Sequence, residues 1–200
     1  RMNSIKKTLI ELNLIDPTDL ELFSSKTRDL NHINVMRDKT SGIIFLDNFL
    51  TEDSVYERGE YRRQGSDLFG FRDYEIVVDV RRRAKDYEQF YVGKRVLDFG
   101  CGEGTFLHKI KDCAAKVVGC EIEKSLVQHL NKSGINCSTN MEDFESEVFD
   151  TVFCFHTLEH LKNPLDVLSQ FKKILAPKGH LIIEVPHSND FLLRHLKNEA

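Results

Sequence analysis

Two acids and three histidines stand where this chain could do chemistry: Asp98, Glu121, His156, His160 and His187. Asp98 lies in the apolar run Val96-Leu97-Asp98-Phe99 and is followed by glycines at alternate positions, Gly100, Gly102 and Gly104. Without a Cβ, such a backbone turns tightly and lets a ligand approach its N–H and C=O groups. A strand that feeds a glycine turn and then a helix is a cradle for a nucleotide cofactor. Glu121 closes a second run, Lys116-Val117-Val118-Gly119-Cys120, where a carboxylate can accept hydrogen bonds from both hydroxyls of a ribose. His156 and His187 each follow an apolar run directly, and imidazole titrates close enough to neutrality to serve as a general base.

These residues need a scaffold that brings strand ends together. From Lys94 onward the pattern predicts strand 95–99, helix 104–112, strand 116–120, helix 123–132, strand 135–138, strand 149–155, helix 164–175, strand 180–185 and helix 189–197. Alternating strands and helices make a parallel sheet covered on both faces, with right-handed crossovers. Ahead of it, residues 1–30 read as helical, Asp16-Pro17 breaks that pattern, and Thr18 is placed to cap a second short helix. Residues 41–46 suggest a small strand, 47–70 loops, and Asp73 to Phe90 a long helix with Ile76, Val77, Val80 and Ala84 on its buried face. The expected organisation is an N-terminal helical and loop appendage, 1–72, followed by a ligand-binding domain, 73–200.

A dinucleotide fold wants Gly-x-Gly-x-x-Gly, but Thr105 occupies the third position here. The run Asp98-x-Gly100-Cys101-Gly102-x-Gly104 instead resembles motif I of the class I S-adenosylmethionine-dependent methyltransferases. Residues 94–187 follow that family's order of motifs: the acid at 121, the segment 139–143, the strand 149–156 and the turn Leu175-x-Pro177-Lys178-Gly179 before a fifth strand. Asn140 stands where the family commonly has Asp, and Lys178 replaces a glycine.

The resemblance implies an α/β, Rossmann-like sheet with strand order 3-2-1-4-5, and S-adenosylmethionine as cofactor with S-adenosylhomocysteine as product. Cofactor contacts then fall to Asp98, Gly100, Cys101, Gly102, Gly104, Thr105, Phe106, Glu121, Ile122, Asn140, Met141, Phe155 and His156. The family's strands six and seven have no counterpart in these residues. Either the chain is a piece of a longer protein, or the sheet edge is covered by the N-terminal segment or by a partner chain, which leaves room for an oligomer through that edge.

Methyl transfer from a sulfonium is an in-line displacement, so the main task is to hold acceptor, methyl and sulfur in line. A hydroxyl or carbon acceptor also needs a base. His156 and His187 are the first candidates and His160 the third; Glu159-His160 matches an acid–histidine pair that many family members carry. The pattern His156-x-x-Glu159-His160 also resembles zinc-protease and metal-dependent methyltransferase signatures, but the site is assigned no metal. The run Arg81-Arg82-Arg83-x-Lys85 reads as a solvated helix face, or more sharply as a docking surface for an anionic acceptor. Arg62, Arg63 and Tyr61 are better placed for that docking role, and Tyr56, Tyr61, Phe69 and Phe71 lie where the family often folds a lid over its cofactor to exclude water.

Residues 35–92 resemble, more loosely, methyltransferases of surface-sugar and small-metabolite pathways, which points to a small-molecule or sugar-linked acceptor, one bearing a phosphate included. A non-catalytic module with the same fold, or a nicotinamide oxidoreductase, is the alternative. Net charge of −4 implies no nucleic-acid partner, and no apolar run approaches the roughly 20 residues of a membrane span. Five cysteines without a C-x-x-C pair fit reduced thiols in the cytoplasm.

Overall fold

The structure, a computed structural model, describes residues 5–27, 31–47 and 71–186. The chain divides into two compact units, one formed by residues 1–51 with 186–200 and the other by 52–185.

The first unit departs from the helical expectation. Helix α1 covers only Ile5–Glu11, and three antiparallel strands follow: β1 (Leu20–Lys26), β2 (Asn31–Asp38) and β3 (Ile44–Leu46), in that spatial order. The reason is local. Pro17 ends helix propagation, and Thr18 caps no second helix, because its N–H and hydroxyl both donate to Asp16 Oδ1 at 2.8 and 2.7 Å. Beyond that turn, Ile33, Val35 and Phe45 are buried at strand spacing, the two-residue period that the helical reading overlooked. Asp38 is buried and accepts N–H bonds from Ser41 at 2.6 Å and Asp16 at 3.0 Å, which hold its carboxyl below the usual range.

In the second unit, helix α2 (Phe71–Asp86) and the single turn α3 (Glu88–Tyr91) take the place of one long helix. Then come β4 (Arg95–Phe99), α4 (Thr105–Ile110), β5 (Lys116–Cys120), α5 (Lys124–Lys132), β6 (Asn136–Ser138), β7 (Phe149–Phe155), α6 (Pro164–Ile174) and β8 (Leu175–Glu184). All adjacent pairs are parallel, and the spatial order is β6-β5-β4-β7-β8. Strand β8 starts earlier than 180. Leu175 already pairs with Phe149, Ala176–Gly179 bulge out with Lys178 in the left-handed region at φ 65°, and His180 rejoins opposite Thr151.

Successive residues of β4 point to opposite faces. Leu97 packs with Val118, Val152, Cys154, Phe171 and Ile174 on the face covered by α6. Val96 packs with Phe153, Phe155, Phe106, Ile110 and Ala84 on the face covered by α2 and α4. Asp98 is two residues beyond Val96 and pairs with Phe153, so it belongs to the second face, near the carboxyl ends of the strands. Ligands of open parallel sheets bind there, at the point where strand order reverses; β4 and β7 flank that point. The expected helix 189–197 lies outside the described residues.

Candidate cofactor and catalytic site

The glycine turn is built from main-chain bonds. Gly100 and Cys101 donate to the Cys120 carbonyl at 2.8 and 3.2 Å, and Gly104 donates to the Cys101 carbonyl at 2.9 Å. Gly100 and Gly104 both have positive φ, 74° and 69°, a conformation L side chains rarely adopt. Packing adds to the demand. A Cβ on Gly100 would lie 2.1 Å from Thr157 Oγ1, and one on Gly104 would lie 2.4 Å from Leu130 Cδ2. Gly104 then opens α4.

Two carboxylates meet this turn. Glu121 is buried; its Oε2 accepts the Gly102 N–H at 2.8 Å and its Oε1 accepts the Glu123 N–H at 3.0 Å. It therefore ties the turn to the end of β5. Asp98 is only 3% exposed. Its Oδ1 has no hydrogen-bond partner among the described residues. Burial pushes its carboxyl up to about 7, against the charge of Arg83 and with that of Glu121. An unpaired buried carboxylate oxygen is costly unless a cation or donor reaches it. An ammonium group presented at the glycine turn would do so, and on that observation the residues fit S-adenosylmethionine.

The remaining sequence-predicted contacts divide. Cys101 is half-buried in the turn. Thr105 is exposed at the start of α4, Ile122 is exposed just beyond Glu121, and Asn140 is exposed with its N–H on Ser138 Oγ at 3.2 Å. Phe155 is buried, with the Arg83 guanidinium carbon 4.4 Å above its ring. The Phe106 side chain is buried. It packs edge-on against Tyr91, Phe153 and Phe155 inside the core. The Met141 side chain likewise belongs to the core.

His156 leaves β7 with φ 48°, the left-handed region that residues with a Cβ seldom occupy. Its N–H donates to the Glu184 carbonyl at 2.8 Å. Glu159 stands between two imidazoles, 3.7 Å from His156 Nδ1 and 3.9 Å from His160 Nε2, and both rings are about half exposed at the sheet edge. Among the described residues, no group of three or more histidine, cysteine or acidic side chains is arranged to hold a metal ion. His187, the docking candidates Arg62 and Arg63, and the lid candidates Tyr56, Tyr61 and Phe69 lie outside the described residues.

Residue reasoning missed Glu184, the last residue of β8. Its carboxylate receives Arg82 through both Nη atoms at 2.9 and 3.0 Å, Arg83 Nε at 2.8 Å and the Tyr87 hydroxyl at 2.8 Å. Burial alone would raise its pKa, but these donors hold it down at about 2. The arginine run is thus not simply a solvated face, and Arg82 and Arg83 are engaged by an acid rather than by an anionic acceptor. The one signal in the sequence was the helical spacing of Arg83 and Tyr87, four apart and so on one face; their partner lies about a hundred residues downstream.

A family model described as "Methyltransferase domain" matches residues 68–199. Ubiquinone biosynthesis O-methyltransferase of Aliivibrio fischeri is 30% identical over 107 residues, covering 48% of this chain and 46% of its own length. tRNA U34 carboxymethyltransferase of Colwellia psychrerythraea is 31% identical over 150 residues, 70% of this chain and 45% of that protein. The chain thus spans about half the length of the curated relatives it matches. Among solved structures, the N-methyltransferase NodS of Bradyrhizobium japonicum bound to S-adenosyl-L-homocysteine superimposes with a TM-score of 0.49 at 18% identity, covering 64% of this chain and 72% of that one.

Proposed function

The chain belongs to the methyltransferase-domain family, and from that premise we propose that it transfers a methyl group from S-adenosylmethionine to a small-molecule or sugar-linked acceptor. When bound, the cofactor supplies an electrophilic methyl on a sulfonium whose leaving group needs no acid. The chain's own residues do the rest. Asp98 receives the ammonium, the turn from Gly100 to Gly104 receives the carboxylate, and Glu121 receives the ribose hydroxyls. Asn140 and Met141 border the adenine, the latter through its main chain. His156 takes the acceptor's proton, with Glu159 beside it to stabilise the imidazolium and His160 on the far side of that acid. His187 is kept as a second base.

The observation that carries this reading is the buried Asp98 oxygen without a partner, set beside a glycine turn that Glu121 holds. We read residues 73–200 as the cofactor domain and 1–72 as its appendage, in a cytoplasmic protein. Five cysteines without a C-x-x-C pair favour that compartment. No helix among the described residues is long and apolar enough to cross a membrane. Any association through the sheet edge is part of the same proposal.

Titration calorimetry with S-adenosylmethionine, S-adenosylhomocysteine and NAD tests the assignment. Binding of both sulfur compounds and not of NAD is the expected result; binding of NAD alone, or of none, would overturn it. A non-catalytic module would bind both sulfur compounds and yet form no S-adenosylhomocysteine with any acceptor pool. Turnover with tRNA rather than with small acceptors would replace the acceptor class, as the tRNA-named relative suggests.

A further inference from the structure

Four of the five cysteines lie in the second unit's sheet and glycine turn, and two of them meet. Cys101 Sγ in the turn and Cys137 Sγ on β6 are 4.0 Å apart. They meet across β5: the Cys101 N–H donates to Cys120 at the end of that strand, and Cys137 pairs with Gly119 within it. Gly119 makes the meeting possible, since a Cβ there would lie 2.7 Å from Cys101 Sγ and 3.1 Å from Cys137 Sγ. Of the other three thiols, Cys113 is exposed, while Cys120 and Cys154 are buried.

We propose that Cys101 and Cys137 form an oxidisable dithiol whose disulfide closes the cofactor cradle. The oxidant is a peroxide. The sulfur of Cys101, the more accessible of the two, attacks one peroxide oxygen; the O–O bond breaks, water leaves and a sulfenic acid remains. The sulfur of Cys137 then attacks that sulfur, the S–O bond breaks and a second water leaves. Two thiols and one hydrogen peroxide give one disulfide and two waters, with two electrons passing from sulfur to oxygen.

The consequence follows from length. A disulfide brings its sulfurs to about 2 Å, so residue 101 must move toward β6. Cys101 lies between Gly100 and Gly102, and Gly102 carries the N–H bonded to Glu121. Drawing this residue aside disturbs the turn that would receive the cofactor. The neighbouring Cys137 sulfur and burial both keep the Cys101 thiol protonated, so bonding speeds up as pH rises, because the thiolate is the nucleophile.

The inference rests on the proposed function only for its second half, and the experiment separates the two. The full chain, fully reduced, is treated with hydrogen peroxide at pH 7 and pH 9, then mapped by peptide mass spectrometry and titrated with S-adenosylhomocysteine. A linked Cys101–Cys137 peptide, faster formation at pH 9, a loss of affinity of about tenfold or more, and recovery with dithiothreitol are expected. Cys137→Ala and Cys137→Ser should keep their affinity through the same treatment. Oxidation of exposed Cys113 without the linked peptide would overturn the dithiol, and a linked protein of unchanged affinity would overturn the closure. If the reduced chain fails to bind S-adenosylhomocysteine at all, the proposed function falls, while the linked peptide still decides the dithiol.

Discussion

Under the proposed function, Asp98 concentrates a conflict between folding and binding in one side chain. Its carboxyl is pushed by burial from an ordinary 3.8 up to about 7. Between those values the native state holds a proton that the unfolded chain has lost. Stability therefore declines as pH rises from about 4 to about 7, and the penalty is complete above that. Binding runs the other way, because an ammonium needs the ionised form. Affinity for S-adenosylhomocysteine should rise with pH through about 7 and then level off. For Asp98→Asn, calorimetry across pH 6 to 8 should give a flat profile and, at pH 8, affinity weaker by about 1.5–3 kcal/mol. Urea unfolding of the empty variant should show a gain on the order of 2 kcal/mol at pH 8 that fades near pH 4. A variant whose affinity still rises with pH would show that another group sets the profile.

At the scale of elements, one carboxylate ties α2 to the sheet beside the apolar packing of Ala84. Glu184 ends β8, and three side chains of the helical segment converge on it, two of them arginines. The same residue's carbonyl holds His156 in its left-handed conformation. Because these donors keep the Glu184 carboxyl down at about 2, the stabilisation is present above an ordinary 4.5 and is lost as pH falls from there toward 2. Glu184→Gln should lower the unfolding free energy at pH 7 by about 1–2 kcal/mol, a figure discounted for the solvent that reaches Arg82. The difference from the parent should shrink in urea titrations at pH 3. An equal loss at both pH values would mean that packing of Tyr87 and Phe155, rather than charge, fastens the helix.

For the whole molecule, a ligand that binds only the native state raises stability by mass action. Saturation with S-adenosylhomocysteine at about a hundred times its dissociation constant adds about 2.7 kcal/mol, which in a chain of this size raises Tm by roughly 5–10 °C. A shift of that size in a calorimetric scan, absent in Asp98→Asn at equal ligand concentration, would connect the residue to the fold. No shift with the parent chain would argue against a cofactor site in the second unit.

The sequence by itself determined the glycine turn and its two acids: alternate glycines, an acid before them and another at the end of the next strand are local patterns, and the sheet is an alternation of short periods. The same local reading went astray in residues 1–30, where α1 stops at Glu11 and Leu20–Lys26 is a strand. Pairing with β2 outweighed a weak helical stripe, because strand pairing is a property of two segments and not of one. Three further features were decided by tertiary structure alone: the Glu184 hub, the meeting of Cys101 with Cys137, and the core position of the Phe106 ring. Each depends on which side chains are brought within a few ångströms by crossovers, and distance between strands is written in the packing of the sheet, not in the order of residues along it.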